Sequence, residues 1–242
     1  MICYFCSGFD KKRSFDGCLA EYLRKDIKKI DNLLFIAGSN AIIRTYEVQI
    51  PRFVNYFKNI EKVFKKIDCI TINTLKDDAK NMVKNADVII MLGGNPFEVR
   101  ELSLDNDIVN DLKSFEGVII GISAGAMNMS KYIIMTPCSE EFDKFDIRDG
   151  LDLCGISIFP HCNFKGVNFL DSYEWDGRVT KKKDLEFVAN NYGEFYLLQD
   201  YCDDNDLVNA SFIRVVDLNI NFIRNNDGKL WMVNKDGINL VK

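Results

Sequence analysis

The apolar and polar positions of this chain follow two rhythms that take turns. Short unbroken apolar runs at residues 2–6, 33–37, 69–72, 88–92 and 118–122 have the length of strands and little polar alternation. Between them lie longer stretches in which apolar residues recur every three or four positions, as in a helix with one buried face. Phe53, Phe57, Ile60 and Phe64 are spaced in this way and predict a helix over 53–66. Similar spacing predicts helices over 16–30 and 76–85, from Pro96 to about Phe115, and from just after Ser123. Strands that alternate with helices imply a parallel sheet covered on both faces. In an open sheet of this kind, ligands sit beyond the carboxyl ends of the strands. Gly93-Gly94-Asn95 and Ser123 both fall at such ends, so the alternation alone puts them on one side of the molecule.

The last third changes rhythm. A helix over 181–191 is followed by apolar runs at 194–198, 212–218 and 229–233, with Asn226-Asp227-Gly228 as a turn signal. These runs predict further strands, partly antiparallel, at a sheet edge. No linker, repeat or low-complexity stretch interrupts the chain, so one α/β domain over residues 1–242 is expected.

Composition narrows the choice of function. A chain of 242 residues can build its core without disulfides or a structural metal. The net charge is -5 and there is no basic stripe, which argues against nucleic acid. The run Lys181-Lys182-Lys183 opens a predicted helix and reads as a solvated face. No stretch reaches the roughly 18 apolar residues of a membrane span. Lys11, Lys12 and Arg13 follow the apolar start instead of preceding it, the reverse of a secretory peptide. The expected location is the cytoplasm. Eight scattered cysteines include one Cys-x-x-Cys, Cys3 and Cys6, within a predicted strand. Residues three apart in a strand point to opposite faces, so the pair makes no metal site and reduced thiols are expected.

Gly121-Ile122-Ser123-Ala124-Gly125 matches the G-x-S-x-G turn that presents a nucleophile between a strand and a helix. Chance gives such a pattern in roughly 10% of chains of this length. Its position at a strand end and a helix start is what the chemistry requires. The turn must be sharp, the neighbours small, and the helix N-terminus must direct N–H groups at the reacting oxygen. Two glycines at 93 and 94 let the backbone approach a ligand, and the N–H groups of Gly94 and Ala124 together could form an oxyanion hole. His161 is the only histidine, and a serine nucleophile needs a base. Asp200 follows the apolar run 195–198 and is the candidate acid, with Glu194, Glu140, Glu141 and Asp171 as rivals. No cofactor or metal is expected.

These segments resemble peptidase family S51, the serine peptidases that include aspartyl dipeptidase (peptidase E) and cyanophycinase. The resemblance runs from Ser7-Gly8-Phe9 through Gly93-Gly94-Asn95 and the Ser123 segment to Pro160-His161 and Leu198-Gln199-Asp200. It implies a three-layer αβα sandwich with a mostly parallel central sheet, like the class I glutamine amidotransferases and flavodoxin-like folds, with extra antiparallel strands at the C-terminal end. It also implies a Ser123–His161–Asp200 triad, a short-peptide substrate with Asn95 and Lys165 as candidate contacts, and a homodimer by analogy. Family members that recognise aspartate carry arginines soon after the catalytic histidine. Here that segment is Cys162-Asn163-Phe164-Lys165-Gly166, and the next arginine is Arg178. One lysine does not replace a bidentate guanidinium, so Asp-Xaa specificity is not carried over. After the acid, where members often have glycine, this chain has Tyr201-Cys202-Asp203-Asp204.

Overall fold

Two faces of one sheet explain why the N-terminal strands are apolar throughout. In β1 (Ile2–Cys6), Cys3 and Phe5 enter one buried cluster while Tyr4 and Cys6 enter another. β2 (Asn32–Ile36), β4 (Val88–Met91) and β5 (Val118–Ile122) divide their side chains in the same alternating way. β3 (Lys66–Ile70) is the outer strand and is exposed over its first half. The structure is a computed structural model and describes all residues except 9–14, 16, 39–41, 141, 164–170, 176, 177, 203–207, 226 and 242.

The helices cover these faces. α1 (Gly17–Asp26) and α3 (Ile50–Asn59) supply Leu19, Leu23, Phe53 and Phe57 to the cluster that holds Tyr4. Before α3, the short α2 (Ile42–Arg44) passes through one π turn, Thr45–Gln49. Pro51 follows that turn, and its missing N–H and ring are accommodated where the α ladder is already broken. α4 (Lys76–Asn85), α5 (Glu98–Asp105), α6 (Val109–Lys113) and α7 (Ala124–Met129) pack on the opposite face through Val83, Leu102, Leu112 and Met129. The result is the expected α/β sandwich. The helix expected over 53–66 ends at Asn59, because Glu61 takes a left-handed φ of 61°. Lys62 N–H then bonds Phe57 and Glu61 N–H bonds Lys58, a Schellman closure made without glycine. The helix expected from Pro96 to about Phe115 is two helices, α5 and α6, parted by Asp107 at a φ of 54°.

The remaining strands are β6 (Tyr132–Met135), β7 (Asp146–Asp149), β8 (Ile158–Phe159), β9 (Ser172–Trp175), β10 (Arg178–Lys181), β11 (Phe195–Leu198), β12 (Asp200–Cys202), β13 (Val208–Val216), β14 (Asn219–Asn225), β15 (Leu230–Asn234) and β16 (Gly237–Leu240), with α8 (Lys182–Tyr192) between β10 and β11. The central sheet runs β12-β13-β1-β5-β4-β2-β3, with β14 also on β13. Its stretch from β1 to β3 is parallel, and β12, β13 and β14 are antiparallel additions. A second sheet, β16-β15-β11-β8, packs Phe195, Leu197 and Trp231 against α8. Its other face sends Tyr196, Leu198 and Leu230 into the cluster that holds Phe5.

The C-terminal pairing differs from the sequence expectation. The hairpin turn is Asp217-Leu218, between β13 and β14, with φ of 47° and 65°. Two left-handed residues are what a type I′ turn needs. Of the expected turn Asn226-Asp227-Gly228, Asn226 lies outside the described residues, and the strands on either side, β14 and β15, belong to different sheets. Among the described residues, no helix is long and apolar enough to cross a membrane.

Candidate active site

Ser123 sits between β5 and α7 with φ 52° and ψ -117°. A non-glycine residue held there stores roughly 1–3 kcal/mol of strain, which the surroundings must impose. Here Ser123 N–H donates to the Cys6 carbonyl at 2.8 Å, and its own carbonyl accepts from Met127 at 3.0 Å. The small neighbours are required by close approach. A Cβ on Gly125 would overlap the Met91 carbonyl, and one on Gly121 would meet Met129 Sδ and the Ala126 backbone. Ala124 is the first residue of α7, so its N–H has no partner within the helix.

The loop after β4 brings a second backbone against the serine. A Cβ on Gly93 would lie 3.2 Å from Ser123 Cβ, and Gly94 has a φ of 144° that only glycine tolerates well. The loop is held by Asn128 on α7, which is fully buried. Its Nδ2 donates to the Pro96 and Ala124 carbonyls, each at 2.6 Å, and its Oδ1 accepts the Arg100 N–H at 2.7 Å. Gly94 and Ala124 therefore face one cleft beside Ser123. Asn95 does not. It is exposed, and its Oδ1 caps the loop by accepting the Phe97 N–H at 3.0 Å.

His161 follows β8, which runs parallel to β11. Its Nε2 lies 2.7 Å from Ser123 Oγ, and its Nδ1 lies 2.7 Å from Asp200 Oδ2. Asp200 starts β12 and is paired with Ala210 of β13. Ala210 also pairs with Asn225 of β14, so β12 and β14 lie on opposite edges of β13. β1 shares the β12 edge and ends where Cys6 meets Phe212. The acid thus takes the place in the sheet that β1 vacates at Ser7. Buried Gln199 fixes this register: its N–H reaches Ser211 Oγ, its carbonyl accepts from Ser211 N–H, and its Oε1 accepts from Lys229 N–H. Glu194, Glu140 and Asp171 are exposed, and Glu141 lies outside the described residues.

With this geometry established, comparison with known proteins gives a family. The model of peptidase family S51 matches residues 21–196, well over half of the chain. This chain belongs to peptidase family S51. The match contains Ser123 and His161 and stops four residues before Asp200. The fold is similar to that of a solved protein named as a candidate peptidase E from Listeria monocytogenes EGD-e, with a TM-score of 0.59 and 14% identity over 93% of this chain and 98% of the other. Among proteins of curated function, none matches this sequence.

The cleft of this S51 chain has a volume of about 400 Å³. Met127, Ile134 and Phe159 give it an apolar wall. Apart from Ser123 and His161, its polar residues were not assigned to the site from the sequence. Arg178, at the start of β10, returns to the cleft and lies over the Phe142 ring, 5.3 Å from its centroid. Arg44 reaches the same cleft from α2. Among the described residues, neither guanidinium is ion-paired. Thr136 is buried at the cleft wall, and its hydroxyl has no hydrogen-bond partner among the described residues. Tyr173 also lines the cleft; burial, then the neighbouring Cys162, pushes its phenol well above the ordinary range, so it stays a neutral hydroxyl. Burial likewise raises the Cys138 thiol. Lys165, the other expected substrate contact, lies outside the described residues. Arg178 was legible as the first arginine after His161, but only the β9–β10 hairpin brings it back.

Proposed function

We propose that this protein is a serine peptidase that cleaves short peptides, favouring those with an acidic group beside the scissile bond. The observation that carries the reading is the continuous hydrogen-bonded chain from Ser123 Oγ through His161 to Asp200 Oδ2, with 2.7 Å at each link. Nδ1–H donates to the carboxylate, which leaves Nε2 as the acceptor facing the serine. Ser123 Oγ attacks the peptide carbonyl and its proton passes to Nε2. The Gly94 and Ala124 N–H groups hold the resulting oxyanion. Collapse breaks the C–N bond as Nε2 protonates the leaving amine. Water, deprotonated by the same nitrogen, then releases the acyl group from Ser123. The acidic preference is supported by Arg44 and Arg178, two cations at the cleft with no ion-pair partner among the described residues. A cytoplasmic location is supported by the described cysteines, all free thiols, which suit a reducing compartment.

A panel of dipeptides with acidic and neutral residues, set beside simple esters and amides, tests this reading. The expected result is hydrolysis of the acidic dipeptides, and a loss on the order of 10⁴-fold or more in kcat for Ser123→Ala. A fluorophosphonate should label Ser123 in the native protein. Undiminished hydrolysis by Ser123→Ala would overturn the proposal. Turnover of esters alone would make the protein an esterase.

A further inference from the structure

The end of β1 touches all three members of the proposed triad with three successive residues. The Cys6 carbonyl accepts the Ser123 N–H. The Ser7 hydroxyl accepts the His161 N–H at 2.5 Å and lies 3.5 Å from Nδ1 of the same ring. Gly8 faces the acid so closely that a Cβ there would come within 2.5 Å of Asp200 Oδ2. Ser7 is buried, with 1% of its surface exposed. No part of the mechanism above uses it.

His161 needs such a partner. Its backbone has a φ of 61°, a left-handed conformation that costs a side chain roughly 1–2 kcal/mol. The next N–H, that of Cys162, is held by the Leu198 carbonyl at 2.9 Å, and Asn163 N–H folds back on the His161 carbonyl at 2.9 Å. The His161 N–H points to the end of β1, where Ser7 Oγ accepts it. Without that bond the His161 backbone keeps the β8–β11 pairing before it and the Cys162 bond after it but loses this tie to the end of β1, and the ring can pivot away from Ser123.

We infer that Ser7 is a positioning residue. Its hydroxyl locks the strained backbone of His161 so that Nε2 faces Ser123 while Nδ1 faces Asp200. The residue that follows β1 thereby couples the central sheet, which carries the nucleophile, to the second sheet, which carries the base. The inference rests on the serine peptidase reading for its effect on rate, but not for its effect on the ring.

The chain has one histidine, so its imidazole signals are unambiguous in an NMR spectrum of histidine-labelled protein. The native protein should show one ring form, with the proton on Nδ1. Ser7→Ala should broaden or split those signals. It should also lower kcat on the best peptide by roughly 10- to 100-fold, because a small misplacement of a reacting group costs that much, while KM stays within about twofold. Fluorophosphonate labelling of Ser123 should slow in parallel. If Ser7→Ala does not fold, Ser7→Cys, close in volume with a weaker acceptor, takes the same measurements and should fall between. A variant with native imidazole signals and native kcat overturns the inference. If the native protein cleaves no peptide, the functional reading fails, and the ring signals of the variant still decide the role of Ser7.

Discussion

At the level of single residues, this site consists of backbone conformations that few sequences tolerate. Ser123 and His161 both have positive φ, and each is held by a bond from the end of β1. The glycines at 121 and 125 are there because backbone and Met129 occupy the space a Cβ would need. Asp200 is the residue whose assignment sequence patterns left most open. Its Oδ2 faces Nδ1, and its Oδ1 is buried without a partner among the described residues. A carboxylate here selects the ring tautomer that leaves Nε2 basic. Asp200→Asn should therefore keep the fold but lower kcat by roughly 10³- to 10⁴-fold, since an amide can stabilise the wrong tautomer. Glu194→Gln and Asp171→Asn, both at exposed positions, should leave kcat within about twofold. Steady-state rates of the three variants check this, and equal losses in all three would remove Asp200 from its role.

Elements place these residues by how they end. β4, β5 and β1 stop at neighbouring positions in the parallel sheet, which brings Gly93-Gly94, Ser123 and Ser7 together. Helix α7 then acts on the loop after β4 through a single side chain. Asn128 satisfies the Pro96 carbonyl, the Ala124 carbonyl and the Arg100 N–H at once. Asn128→Ala leaves these groups short of partners in a buried setting, at a cost of about 1–3 kcal/mol for the orphaned donor. The expected outcome is a lower urea midpoint, together with a fall in kcat as the Gly94 N–H drifts from the oxyanion position. Unchanged activity in this variant would mean that the loop is held by something other than Asn128. The place of Asn128, four residues after Ala124 on the helix that follows Ser123, is plain in the sequence, though its burial is not. Two of its three partners, Arg100 and Pro96, are not, because they lie 28 and 32 residues earlier in the chain.

Across the whole molecule, two sheets share one core, and the proposed triad bridges them. Ile158 and Leu198, from the strands that precede His161 and Asp200, sit in the same cluster as Phe5 and Ile119 of the central sheet. On the opposite face of the central sheet, buried weak acids in the cluster that holds Tyr4 make the fold sensitive to alkali. Burial pushes the Tyr4 phenol above its ordinary range, and its hydrogen bond to Asp26 adds to this; Arg214, also on Asp26, opposes it in part. Burial alone raises Cys6, and burial pushes Cys69 up from 9.0 to about 12. A group whose folded pKa is raised keeps its full stabilisation below its unfolded value and loses it as pH rises. Stability should thus be level in these groups near neutrality and fall from about pH 9 upward, where unfolded thiols and then phenols ionise. Urea midpoints measured between pH 7.5 and 11 check this, and Tyr4→Phe should lessen the fall. A midpoint that rises above pH 9 would contradict it.

The sequence by itself determined the parts that depend on neighbours along the chain. Strands buried on both faces must be apolar throughout, so β1, β4 and β5 were legible, and β1 and β5 had the expected bounds. A sharp strand-to-helix turn must have small residues around it, so Ser123 was legible, and a serine nucleophile with one histidine in the chain had a single candidate base. Local signals misled where an unexpected residue took a left-handed position, as Glu61 did at the end of α3 and Leu218 did in the β13–β14 turn. The tertiary structure alone decided what depends on register between distant strands. Pairing of β12 and β1 along one edge of β13 set Asp200 beside the His161 ring and Ser7 against the His161 backbone, 154 positions away. Pairing of β9 with β10 brought Arg178 to the cleft. Such contacts are settled by packing between surfaces that the chain brings together only once it has folded, and no local pattern of residues encodes them.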